Sequence, residues 1–260
     1  MNKIILSNNN YEIVNEDLKL DFIYENDYIN KIKIKVNKST KLELIFKDEI
    51  DKKFDISFEI EDNVKFNLIE IKKNCKVKIL FKYNLKKSSN ANIIKVNDIN
   101  SINEKNIINL NDINASIKLL LKTVSKNIEK YDFAINHNSK NTNSEIINNG
   151  INLSGNLYFT VSSYIPKGNC KCIANQNNRI INLTNNECLI KPNLLIDEYD
   201  VIANHSAVIG SFKDEEIFYL ERLGINKTLA NKLLIEGFLK SKLNKTLANH
   251  FKKYWRWKYE

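Results

Sequence analysis

A chain of 260 residues is long enough to bury one sizeable core without disulfides or a structural metal, and its length fits one main body with a small appendage. With 43% hydrophobic residues, 27% charged residues and a net charge of +9, the composition excludes wholesale disorder; no run approaches the ~18 apolar residues of a helical membrane span. The basicity does not define a nucleic-acid binder: of 40 basic residues only Arg179, Arg222 and Arg256 are arginine, and Asn fills 43 positions, a skew that adenine- and thymine-rich codons produce.

The opening Met1-Asn2-Lys3-Ile4-Ile5-Leu6-Ser7 has too few apolar residues for a secretory core, so the expectation is a cytoplasmic protein with reduced thiols. From residue 20 to about residue 205, short apolar runs of period two follow one another. Lys31 to Val36 alternates Lys with Ile or Val, Phe54, Ile56, Phe58 and Ile60 share one side of a run, and Val64-Phe66-Leu68 and Val77-Ile79-Phe81 repeat the pattern. Alternation places those side chains on one face of a strand, with lysine on the wet face. The run centres recur every ten to thirteen residues, with only six Gly and two Pro in the chain to make tight turns. That spacing suits a sandwich first, and also a β-solenoid whose corners are turned by Asn, which tolerates left-handed backbone angles.

After Gly210 the texture changes. Asp214 can cap a helix through Leu223, with acidic residues in its first turn, Arg near its end and Gly224 as terminator. A second helix is expected from about Lys227 to Leu243, with Leu229, Leu233, Leu234, Phe238 and Leu239 on its apolar positions. A basic aromatic tail from Lys252 to Tyr259, with Trp255 and Trp257, is expected to cap the open end of the helical region.

Several chemistries lack their residues. Gly150 and Gly155 have the interval of a phosphate loop, but Asn156 and Leu157 stand where Lys and Ser or Thr would bind phosphate and magnesium. No HExxH or GxSxG accompanies His137, His205 and His250. Cys170 and Cys172 would project from one side of a strand, with Cys188 and His205 following, but a zinc signature needs a second pair at a set interval. These thiols, with Cys75, read as small core residues.

The stretch from Tyr131 to Leu243 carries the informative motifs. His137, Thr142 and Ser144 form an H-x-x-x-x-T-x-S pattern, Gln176 to Thr184 reads QNNRIINLT, and Lys191 to Ile196 reads KPNLLI. Thirteen residues after Pro192 comes His205 in NHSAVIG, and then DEEIFYLERLGI with Phe218, Tyr219, Leu220, Gly224 and Ile225. In order and interval, over about 110 residues, this resembles the SufB and SufD family of iron–sulfur cluster assembly proteins.

The resemblance implies a mainly β protein: a right-handed parallel β-helix over residues 1–211, followed by a small α-helical domain over 212–260. It leaves no counterpart for the N-terminal helical domain of longer members. It further implies a non-catalytic scaffold whose helices dock a SufC-like ABC ATPase and whose β-helix pairs with a SufB-like subunit. The docking residues would be Phe218, Tyr219, Leu220, Gly224, Leu233, Leu234 and Phe238. The sulfur-accepting Cys of SufB falls at Asn177 and the Glu after its His at Ser206, both pointing to the SufD type; an amide cannot carry persulfide sulfur. His205 is then the expected ligand for iron or a transient cluster at the subunit interface, with His137 structural or interfacial. The family's Arg before the Gly is replaced by Leu223, with Arg222 one position earlier. No ATP is expected on this chain, and the sequence does not speak to a flavin. Two alternatives stay open: a homodimeric SufB/D-like scaffold working with SufC alone, and a basic β-solenoid binding module unrelated to cluster assembly. A β-solenoid carbohydrate enzyme would need clustered Asp or Arg on one strand face, which is not seen.

Overall fold

Alternating apolar residues make strands, and the computed structural model, which describes residues 2–8, 10–14, 23–26, 29–47, 49–243 and 248, stacks those strands in parallel. In chain order they are β1 (Asn2–Leu6), β2 (Tyr11–Val14), β3 (Ile23–Asn26), β4 (Asn30–Val36), β5 (Thr40–Phe46), β6 (Asp51–Ile60), β7 (Lys65–Lys73), β8 (Lys76–Leu85) and β9 (Asn90–Ile99). There follow β10 (Ser101–Leu110), β11 (Ser116–Ser125), β12 (Ile128–His137), β13 (Asn143–Asn152), β14 (Asn156–Ile165), β15 (Cys172–Asn182), β16 (Cys188–Ile196) and β17 (Val201–Gly210), then α1 (Asp214–Arg222) and α2 (Lys227–Lys240). Even-numbered strands from β4 to β16 stack in one sheet and odd-numbered strands from β5 to β17 in the other. Each coil therefore contributes one strand to each sheet, and the result is a β-solenoid of about seven turns. The choice that period two left open falls to the solenoid. Antiparallel partners, β2 on β1 and β3 on β4, end the two sheets at the N-terminal side.

Register shows why no strict repeat is visible. Successive coils are offset by 25 residues at Lys76 and Ser101, but by 31 at Leu157 and Cys188, because the corners lengthen along the chain. One column of corners, Asn63, Ser88, Asn114, Asn141 and Lys171, is left-handed, with φ between 52° and 62°. Each N–H there donates to a carbonyl of the next coil, as from Asn63 to Lys87 O at 2.9 Å and from Ser88 to Ile113 O at 3.0 Å. Asn serves this geometry without glycine.

The Asn excess also has a role on the strands, beyond coding skew. Asn109 Nδ2 donates to Asn84 Oδ1 and Asn136 Nδ2 to Asn109 Oδ1, both at 2.8 Å, so identical amides stack along the outside of one sheet. Parallel in-register stacking is the arrangement that permits such ladders.

The lumen is apolar over much of its length, lined by Phe58, Phe66, Phe81, Tyr83, Phe133 and Phe159. Midway it encloses a charged group. Glu70 and Lys72 of β7, Lys95 of β9 and Glu104 of β10 have fully buried side chains. Lys72 contacts Glu70 and lies 2.8 Å from Glu104; Lys95 bridges Glu70 at 3.0 Å and Glu104 at 2.8 Å. Burial lowers both lysines to about 8, and the two ammonium groups outweigh the same burial at Glu104, holding that carboxyl below its ordinary range. Lysine as the wet-face residue holds at Lys31, Lys33 and Lys118 and fails at Lys72, Lys95 and Lys122, where lumen and helix contacts enclose it.

The helical pair follows β17 and lies on the outside of the odd-numbered sheet. Ile235 and Leu239 are buried against Ile147, Ile151, Ile181 and Phe212, with Ile217, Leu234 and Phe238 half-buried beside them. Lys122 of β11 donates to Phe238 O at 3.2 Å and Ser241 Oγ at 3.1 Å, capping the carbonyl end of α2. Lys213 rather than Asp214 is the cap residue of α1, its N–H bound by the Glu216 carboxylate at 3.0 Å. Gly224, with φ of +80°, terminates α1 as the sequence indicates. The aromatic tail and His250 lie outside the described residues.

Candidate functional site at the end of the solenoid

Among the described residues, β16 and β17 are the last strands of their sheets. Each presents an edge of N–H and C=O groups with no further strand beyond it, which is a template for another chain. Exposed apolar side chains surround that edge: Leu195 and Ile202 are each 57% exposed, Tyr199 is 99% exposed, and Val208 and Ile209 are exposed as well.

His205 sits in the middle of β17, in register with Gln176 of β15, which is in register with Ile146 of β13. Gln176 and Ile146 are buried, so His205 continues a lumen-facing column to the place where the lumen ends, and there it is exposed. Beneath it, Gln176 Nε2 donates to Ser163 Oγ at 2.9 Å and to Asn193 O at 3.0 Å, tying the two sheets together. The Gln176 Oε1 is buried with no hydrogen-bond partner. Asn177, one residue on, points the other way: it is exposed on the outer face and lines a cavity of about 480 Å³ between sheet and helices, with Arg179, Phe212 and Phe238. Strand alternation thus puts His205 and Asn177 on opposite faces. Among the described residues no three His, Cys, Asp or Glu side chains gather as a metal-holding set. His205 brings a single imidazole to the edge.

The other candidates divide. His137 is buried, its Nδ1 2.8 Å from Thr142 Oγ1 and its Nε2 2.9 Å from Ser144 Oγ, and Thr142 Oγ1 lies 3.1 Å from Cys172 Sγ. The H-x-x-x-x-T-x-S pattern is therefore a hydrogen-bonded knot inside one corner. Burial pushes this imidazole down to about 4, which keeps it neutral. Cys170 and Cys172 do not project from one strand face: Cys170 lies in the turn before β15, left-handed Lys171 intervenes, and Cys172 alone enters the core. Cys188 is half-buried, and burial raises its thiol.

On the helices, Phe218, Tyr219 and Leu233 face solvent at 59, 64 and 42% exposure. Leu220 is half-buried, while Leu234 and Phe238 pack onto the solenoid instead. The Phe238 ring is flanked by Lys122 Nζ at 5.6 Å and by Arg179 at 5.4 Å. Leu223 and Leu229, not among the sequence candidates, are exposed with the first three. The signal was present: Tyr219 with Leu223 and Leu229 with Leu233 are i, i+4 neighbours.

By fold, the molecule is a parallel β-solenoid that ends in a strand edge with an exposed imidazole and carries an apolar helix face beside it. Residues 82–238 match the family described as SUF system FeS cluster assembly, SufBD core domain. The chain belongs to this SufBD core family. It is 32% identical over 127 residues, 48% of its length, to the iron–sulfur cluster assembly protein SufD of Bacillus subtilis, and 42% identical over 48 residues, 18% of its length, to an iron–sulfur cluster assembly SufBD family protein of Mycobacterium leprae. The matches cover 29 and 12% of those two relatives. No helix among the described residues is long and apolar enough to cross a membrane.

Proposed function

We propose that this chain is a non-catalytic scaffold subunit of a Suf-type iron–sulfur assembly complex. Its end coil pairs with a second solenoid subunit that supplies the acceptor thiol, and its helical pair docks a SufC-like ATPase. The observation that carries the reading is His205, exposed where the lumen ends, on a strand edge where no metal-holding set gathers among the described residues. An imidazole suits iron, and the cluster is cargo whose remaining ligands come from across the seam. Asn177 cannot hold a persulfide, so sulfur arrives on the partner.

The exposed face of Phe218, Tyr219, Leu223, Leu229 and Leu233 fits an aromatic-anchored groove contact. Closure of the ATPase on its nucleotide would move the helices, and the contact of Ile235 and Leu239 with the odd-numbered sheet would carry that displacement as a rigid body to β17. The test uses a reconstituted complex with the ATPase and a Cys-bearing solenoid subunit. His205→Ala should still bind the ATPase but fail to support cluster assembly, whereas Phe218→Asp with Leu223→Asp should lose the ATPase while still pairing through the end coil. Wild-type assembly with His205→Ala refutes the ligand assignment, and ATPase retained by the double variant refutes the docking face.

A further inference from the structure

We infer that a lysine-lined groove on the outer face of the even-numbered sheet, remote from β17 and the helices, is a docking site for an acidic polypeptide segment. Parallel register sets Lys53 beside Lys78, Lys78 beside Asn103, and Asn103 beside Lys130, all of them exposed. Lys76 stands on the neighbouring corner column. The groove these residues line encloses about 700 Å³, with Ile128, 52% exposed, at one end.

Neighbouring strands lie ~4.8 Å apart, so like charges directly opposite each other cost stability. The next outward column avoids this: Asp55, Leu80, Lys105 and Asp132 follow one another, and Asp55 pairs with Lys82 at 3.0 Å. The groove column has no such alternation. Asp51 is the one acidic residue among the described lining residues, and its pair with Lys76 is long, at 3.8 Å, and mostly exposed. A one-signed column in a concave surface is complementary to closely spaced carboxylates.

The composition of the groove favours a polypeptide over the other polyanions. No arginine lines it to grip phosphate bidentately. The nearest ring, Tyr158, has its face occupied by Lys130 Nζ at 5.4 Å, leaving no platform for a base. The surface is recessed, which suits a strand-like segment rather than a bilayer. Ile128 supplies an apolar contact beside the charges, as interfaces with a polar rim do.

Fluorescence anisotropy of a labelled octaglutamate peptide, titrated with the intact chain at low salt, tests this inference. Saturable binding that weakens as salt rises is expected, reduced about tenfold by Lys53→Glu with Lys78→Glu. Lys140→Glu, at an exposed corner outside the groove, should leave binding unchanged. Circular dichroism confirms that each variant is folded. The inference is overturned if binding is not saturable, if Lys140→Glu weakens it as much as the groove variant, or if octadeoxythymidylate or phosphatidylserine vesicles bind the same lysines more tightly than the peptide.

Discussion

Replacing Glu104 by Gln would test whether the charged group inside the lumen is held by its internal pairing. The wild-type group is balanced, with two carboxylates and two ammonium groups whose side chains are fully buried. Glu104→Gln keeps the shape and leaves two buried cations sharing Glu70. Removing one partner of a buried pair costs about 3–5 kcal/mol, because the remaining charge cannot be re-solvated. The protein has one escape, which is to release a proton from Lys72 or Lys95, both already lowered to about 8 by burial. Neutralising a lysine of reference pKa ~10.4 costs about 4.6 kcal/mol at pH 7 and about 1.9 kcal/mol at pH 9. A lysine lowered in the folded state leaves the unfolded chain binding more protons, so stability rises with pH across that interval. The variant should therefore lose about 3–5 kcal/mol at pH 7 and no more than about 2 kcal/mol at pH 9. Urea unfolding by circular dichroism at both pH values measures this, with amide exchange in β7, β9 and β10 localising the loss. A deficit below about 1 kcal/mol at pH 7, or one equal at the two pH values, would refute the reasoning.

Four further substitutions probe other parts of the molecule. Glu129 is raised to about 7 by burial, the hydrogen bonds from Thr123 and Tyr131 opposing it, so the folded state holds this proton where the unfolded chain releases it. Stability is then lost as pH rises from about 4.3 to about 7, and Glu129→Gln should raise the unfolding free energy measured in urea at pH 8 by up to about 4 kcal/mol, yet not at pH 4. His137, lowered to about 4, acts in the opposite sense: its contribution is complete above about 6.5 and is lost as pH falls toward 4. His137→Phe should flatten that acid limb while costing about 1–3 kcal/mol at pH 7, since Thr142 and Ser144 lose their partner; an acid limb as steep as wild type would contradict it. A Cβ on Gly155 would collide with the Asn127 backbone, so Gly155→Ala should lower stability by about 1–3 kcal/mol or more, whereas Gly237→Ala, inside α2 with open space around it, should not. Thermal melts of the two variants, compared directly, decide the order.

The exposed face on the helices shows what a sequence motif can and cannot convey. Phe218, Tyr219 and Leu233 are legible as apolar positions of short terminal helices, because helical spacing and apolar character are local properties, and all three are exposed. Leu234 and Phe238 carry the same local signal yet pack onto the solenoid, since the helix rotation is set by Lys122, Arg179 and Ile151 from strands more than fifty residues away. His205 likewise stood out by motif. That it lies where the lumen ends, apart from Asn177 on the outer face, follows from register alone.

Residue order by itself indicates the two faces of most strands, the residues that bend several corners, and the end of α1, while the cap of α1 lies one residue before the expected Asp214 and α2 ends at Lys240 rather than near Leu243. Phe54, Ile56, Phe58 and Ile60 announce one buried face, Asn63, Asn114 and Asn141 accept left-handed corners, and Gly224 ends α1. These are properties of a residue and its immediate neighbours. Tertiary structure decided which strand lies beside which, because period two names a face and never a neighbour. The stacking of coils about 25 residues apart follows from that choice, and so do the Asn84, Asn109 and Asn136 ladder and the enclosure of Lys72 and Lys95 with Glu104. Alternation puts Lys72 and Lys95 on the inner side of their strands, and the carboxylate of Glu104 that pairs with them there comes from another strand.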